Sequence, residues 1–166
     1  MDALIAGAGI GGLALARGLV ADGHRVRVLE KAAGLRLGGA AVTIFSNGAA
    51  ALAGLGAPLN GLGGPIDLLE FRPSQAQGAN QALEDAWLLT RALRRTGAPA
   101  EALRRYERLR TPRVRRVSAM AASEVTNRPP RTVAKLAAHL LPPSLSGRAY
   151  LALVRRFSSV LSDETP

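Results

Sequence analysis

The sequence predicts an α/β fold in which an N-terminal βαβ unit is followed by a mostly helical C-terminal half. Three observations carry this. Ala3 to Ala6 is a short apolar run that ends directly in Gly7, Ile10 to Val20 repeats its apolar residues at helical spacing, and Arg25-Val26-Arg27-Val28-Leu29-Glu30 alternates with the period of a strand. Strand, tight turn, helix and second strand thus occupy the first 30 residues, with Gly23 as the helix stop.

The remaining elements follow in order. Residues 32–39 read as loop, 41–45 as a short extended piece, and Asn47 to Leu55 as a helix stopped by Gly56. Residues 58–65 hold two prolines and three glycines, which is linker chemistry, and only Ile66 to Phe71 offers a further strand. Beyond Pro73 the chain turns helical. Asn80 is the candidate N-cap of the first helix, with Glu84 and Asp85 in its first turn and Gly97 beyond its last. A second helix opens at Pro99, and Pro112 is expected to kink it. Residues 132–141 and 146–161 are weaker helical candidates. The expected organisation is therefore 1–57 as the βαβ segment, 58–72 as a junction, and 73–166 as a helical remainder of the same domain.

Gly7-Ala8-Gly9-Ile10-Gly11-Gly12 satisfies G-x-G-x-x-G between a strand and a helix, and Glu30 ends the next strand 23 residues after Gly7. Each position has a physical task in a Rossmann-like dinucleotide site. Gly7 permits the tight turn, Gly9 lets backbone approach a pyrophosphate, and Gly12 lets helix and strand pack closely. The helix N-terminus offers N–H groups and a positive dipole end to phosphate. Glu30 is an acceptor for ribose hydroxyls and repels the 2′-phosphate that NADP would place there, so FAD and NAD both fit. The competing explanation is that the glycines serve helix–sheet packing alone.

Bulk properties narrow the classes. A hydrophobic fraction of 48% supports a buried core, but with only 4% aromatic residues that core is built from Ala, Leu and Val and is expected to be modestly stable. Cysteine is absent, which removes disulfides, thiolate metal sites and cysteine nucleophiles. No metal site is assigned. Asp2 stands where a signal peptide needs positive charge, and the glycine-rich run from Ala3 to Ala16 is too short to span a bilayer, so a cytoplasmic location is expected. The net charge of +10 is uneven, with 6 basic and 5 acidic residues in 1–80 against 16 and 7 in 81–166. Only Lys31 and Lys135 are lysines, so arginine reads as the general surface cation, and neither a nucleic-acid nor a membrane partner is expected. His24, in a turn, and His139, on a late helix, read as surface or packing residues, and no catalytic acid or base stands out.

Beyond the motif, the chain resembles the para-hydroxybenzoate-hydroxylase-like FAD monooxygenases, the aromatic-ring hydroxylases. The resemblance rests on Gly7 to Gly18 with Glu30-Lys31, on Leu35-Arg36-Leu37-Gly38-Gly39-Ala40-Ala41-Val42, and on Asn47, Ala51-Leu52 and Leu55-Gly56. A second block, Pro73 to Ala86, resembles the family's flavin-contacting turn and helix, and Tyr106 to Arg110 with Pro112-Arg113 resembles its C-terminal helix. It implies a flavoprotein oxidoreductase in which Gly7, Gly9, Gly12 and Glu30 hold the ADP half of FAD. It places Arg36 near the phosphates and Gln77, Gly78 and Asn80 at the flavin. The implied reaction is reduction of FAD by NADH or NADPH, then oxygen capture and hydroxylation of an aromatic or polyketide-like substrate.

The departures are as informative. The family's Gly-Asp signature ahead of the proline turn is missing from Gly64 to Arg72, and Ala76 replaces a usual glycine. About 16 residues also stand where the family inserts its substrate-binding sheet, too few to rebuild parallel strands with their crossovers. The chain thus reads as an internally truncated relative with two or three strands and impaired chemistry. The alternative is a non-catalytic nucleotide-binding remnant or interaction module.

Overall fold

A computed structural model describes residues 1–34, 42–61, 63–64 and 77–125, with single residues at 148, 152, 155, 158, 160 and 161. The predicted strand at 66–71, Arg36 and the helix at 132–141 lie outside the described residues, and of 146–161 only those single residues are described. The described elements are β1 (Asp2–Ala6), α1 (Ile10–Ala21), β2 (Arg25–Leu29), α2 (Ser46–Gly54), α3 (Gln77–Thr96) and α4 (Pro99–Val125).

The N-terminal part is a Rossmann-like βαβ unit followed by helices, as the periodicities require. β1 and β2 pair in parallel with Asp2 opposite Arg25 and Ala6 opposite Leu29. α1 covers one face of this pair and leaves Ala3, Ile5, Val26 and Val28 half-buried. The other face is open, with Leu4 66% and Leu29 51% exposed. α1 ends as its sequence demands: Gly23 adopts φ +77°, and the amides of Gly23 and His24 return to the carbonyls of Val20 and Leu19. Gly56 and Gly97, the other two predicted stops, terminate α2 and α3 with positive φ as well.

The core lies around α3, which touches α1, α2 and α4. It joins Ala14 of α1, Ala51 of α2 and Leu55 to Leu83, Ala86, Trp87 and Leu88 of α3. Small residues let the helices meet closely. A Cβ on Gly18 would press on Thr90 and Leu55, one on Gly48 would strike Asn80, and one on Gly54 would strike Trp87.

These contacts also fix helix direction. Gly11 sits over Ala82 and Gly18 over Thr90, while Gly48 meets Asn80 and Gly54 meets Trp87. Partner numbers rise together, so α1, α2 and α3 run parallel. α4 runs the other way, because it opens at Pro99 just after α3 ends at Thr96 and its Arg110 reaches back to Gln81 and Asp85.

One expectation is corrected. Asn80 is not an N-cap, since α3 already includes Gln77, and Glu84 and Asp85 consequently lie about two turns into the helix. Local capping chemistry suggested the boundary, but the side chain of Asn80 is used in a tertiary contact instead. Pro112 lies inside α4, which continues to Val125.

Candidate dinucleotide site

Gly7 follows β1 directly and its amide donates to the Leu29 carbonyl at 2.6 Å, extending the strand pairing by one residue. Its φ of +101° is a conformation L side chains rarely adopt, so the turn requires glycine there. Gly12 is needed for a different reason. A Cβ at Gly12 would collide with the Gly7 carbonyl oxygen, so helix and loop can approach only without it.

Gly9 has neither reason. Its φ is −75° and ψ 178°, open to any residue, and an added Cβ would meet nothing within 4 Å. Packing alone therefore accounts for Gly7 and Gly12 but not for Gly9. The room in front of Gly9 is where a ligand's phosphate can reach backbone.

Gly9 caps α1 without a side-chain bond, and the first intrahelical bond runs from the Leu13 amide to its carbonyl at 2.9 Å. By helix geometry the amides of Ile10, Gly11 and Gly12 have no acceptor within the helix. Parallel packing places the N-termini of α2 and α3 at this same end. Gly11 is level with Ala82, so Gln77 lies five residues farther out, about 7.5 Å. Three positive dipole ends thus sit side by side beyond the carboxyl ends of the strands.

A cavity of about 460 Å³ opens at the carboxyl ends of β1 and β2, lined by Ala6, Gly7, Leu29, Glu30 and Lys31. The Glu30 carboxylate accepts from the Ala8 amide at 2.8 Å and the Ala32 amide at 3.0 Å, tying the glycine loop to the end of β2. These two amides, that of Ala32 first, hold its carboxyl below the usual carboxylate range and keep it ionised. Lys31 is a lining residue that the spacing argument overlooked. Its place directly after Glu30 was the available signal.

The other predicted residues stand apart from the loop. Asn80 is fully buried, accepting from the Phe45 amide at 2.8 Å and donating to the Thr43 carbonyl at 3.0 Å. Gln77 is buried and accepts from Asn47 at 3.5 Å, whereas Gly78 is exposed. Asn47 also donates to Glu84 at 2.9 Å, and Arg110 bonds Glu84, Asp85 and Gln81. This buried polar network joins α2, α3 and α4, and nothing in local sequence spacing announced it. His24 lies at the far end of the strands, against the N-terminal amine at 3.3 Å. Among the described residues no helix is long and apolar enough to cross a membrane.

Comparison with known proteins is consistent with this geometry. Residues 5–59 match the family described as NAD(P)-binding Rossmann-like domain. Over 46 residues the chain is 59% identical to the 3-amino-4-hydroxybenzoate 2-monooxygenases PtnB3 and PtmB3 of Streptomyces platensis, and 56% identical to a 3-amino-4-hydroxybenzoate 2-monooxygenase of Streptomyces cremeus. The matched stretch is 27% of this chain and spans 12% of each relative's own length. No solved structure matches the chain.

Proposed function

We propose that this chain binds the ADP half of FAD at Gly7, Gly9, Gly12 and Glu30, as part of an oxidoreductase of the flavin monooxygenase type. The observation that carries the reading is Gly9, which the fold does not require and which faces open space at the N-terminus of α1. In this reading the amides of Ile10, Gly11 and Gly12 receive the diphosphate, Glu30 accepts from the ribose hydroxyls, and Lys31 adds positive charge at the cavity wall. Gln77 and Gly78, at the start of α3, bring backbone and dipole toward the flavin ring. Asn80 acts by holding Thr43 and Phe45 in place, and Arg36 lies near the phosphates.

Bound FAD supplies the redox chemistry, with NADH or NADPH as electron donor and an aromatic or polyketide-like compound as substrate. The substrate class draws support from the names of the matched relatives, which are aromatic monooxygenases. One observation favours a second reading, a nucleotide-binding module without turnover. The outer face of the sheet is open at Leu4 and Leu29, and a monooxygenase needs its reacting centre shielded from water. Segment 58–72 is the junction in either case, and 73–166 completes the same domain.

Calorimetric titration with FAD, ADP and NAD tests the site. Stoichiometric binding is expected, and Gly9→Val should abolish it while leaving the thermal melt nearly unchanged, because no described atom lies within 4 Å of an added Cβ. Absence of heat with all three nucleotides would overturn the reading. NAD(P)H oxidation by the FAD-loaded protein separates the enzyme from the module.

A further inference from the structure

The uneven charge plays no part in the dinucleotide site, and α4 shows where it is displayed. Of the seven arginines between residues 104 and 116, Arg110 and Arg113 are buried. Arg104, Arg108, Arg115 and Arg116 are exposed and Arg105 is half-buried. None of these five forms an ion pair or hydrogen bond with a described residue, whereas Arg17, Arg25, Arg94 and Arg110 all have partners.

Their placement is regular. At about 100° per residue, Arg104, Arg108 and Arg115 fall within about 40° of one another on the outer face of α4, and 11 residues spread them over about 16 Å. Arg105 and Arg116 flank the row on one side. The opposite face of the helix is committed to α3 through Ala102, Tyr106, Leu109 and Arg110.

We propose that the outer face of α4 docks on the phosphate backbone of double-stranded nucleic acid, without reading its sequence. Guanidinium forks match phosphate oxygens, and a rigid row of them suits a regular array of charges. Other polyanions fit less well. Trp87 and Phe45 are buried and Tyr106 is half-buried, which leaves no exposed ring among them to stack the bases of a single strand. A bilayer surface is held firmly by a helix that also inserts an apolar face, and that face of α4 is turned to α3. An acidic protein partner would want a central apolar anchor, and among the described residues only Leu103 and Val114 are exposed beside the row. No nucleic-acid motif occurs in the sequence, so the surface is a product of helix placement, and it is independent of the dinucleotide reading.

The test is fluorescence anisotropy of the full chain with a labelled DNA duplex of about 20 base pairs, between about 50 and 200 mM salt. Three to five phosphate contacts give a log–log slope of about −2.7 to −4.5, an affinity loss of about 40- to 500-fold over that range. The triple variant R104E/R108E/R115E should lose binding with an unchanged melt. Should it fail to fold, R104Q/R108Q/R115Q should flatten the slope by about 3. No binding at the lowest salt, or binding indifferent to these variants, would overturn the proposal. Equal competition by poly-glutamate or by anionic phosphatidylserine vesicles would also overturn it, by reassigning the surface to acidic protein or to membrane.

Discussion

The βαβ unit and the helical layer around α3 spend the same residue types in opposite ways. In strands β1 and β2 the apolar residues are half-buried or exposed, Asp2 and Arg25 pair in solvent, and no described atom lies within 4 Å of a Cβ placed on Gly9. Around α3 the glycines at 18, 48 and 54 exist to be filled, and the charges of Glu84 and Arg110 meet almost without solvent. The first region is built toward something outside itself, and the second is closed on itself. Stability should therefore reside in the helices and binding in the strand ends.

That division can be broken by substitution. The largest effect is expected at Arg110, whose side chain is 3% exposed and partners a fully buried Glu84. Arg110→Ala takes a buried guanidinium away from that carboxylate and should cost about 3–5 kcal/mol in urea unfolding. A matched pair of leucines probes the two regions directly. Leu88→Ala, at 0% exposure, should cost about 2–5 kcal/mol, whereas Leu4→Ala, at 66%, should stay within about 0.5 kcal/mol. Equal costs at the two sites would show that the open sheet face is covered in solution.

The smallest expected effect concerns pH. The folded state holds the Glu30 carboxyl below its ordinary value, chiefly through the Ala32 and Ala8 amides. Its contribution to stability is therefore present above the unfolded pKa of about 4.3 and is lost as pH falls through the lower folded value. Glu30→Gln should remove that part of the acid dependence of the melting temperature and leave the neutral-pH melt little changed. If wild type and variant lose stability in parallel below pH about 4, the carboxylate does not hold the loop.

Much of the candidate site was legible in sequence because it is local. Gly7, Gly9, Gly12 and Glu30 lie within 24 residues, and strand, turn and helix each carry their own periodicity. The helix stops at Gly23, Gly56 and Gly97 were legible for the same reason, since a positive φ is a property of one residue. Asn80 misled because Asn is both a good cap and a good buried hydrogen-bonding group. Only its partners, Thr43 and Phe45, decide which, and they are 37 and 35 residues away.

By itself, then, the amino-acid sequence determined the βαβ unit, the order and approximate limits of the helices, and the glycine-rich loop with its acid. Tertiary structure alone decided that α1, α2 and α3 run parallel with their N-termini together, that Glu84 and Arg110 meet in the core, and that five arginines of α4 face outward. The physical reason is range. Backbone conformation and periodicity are set over a few residues, whereas a buried pair 26 residues apart or a shared helix end exists only once the chain has packed.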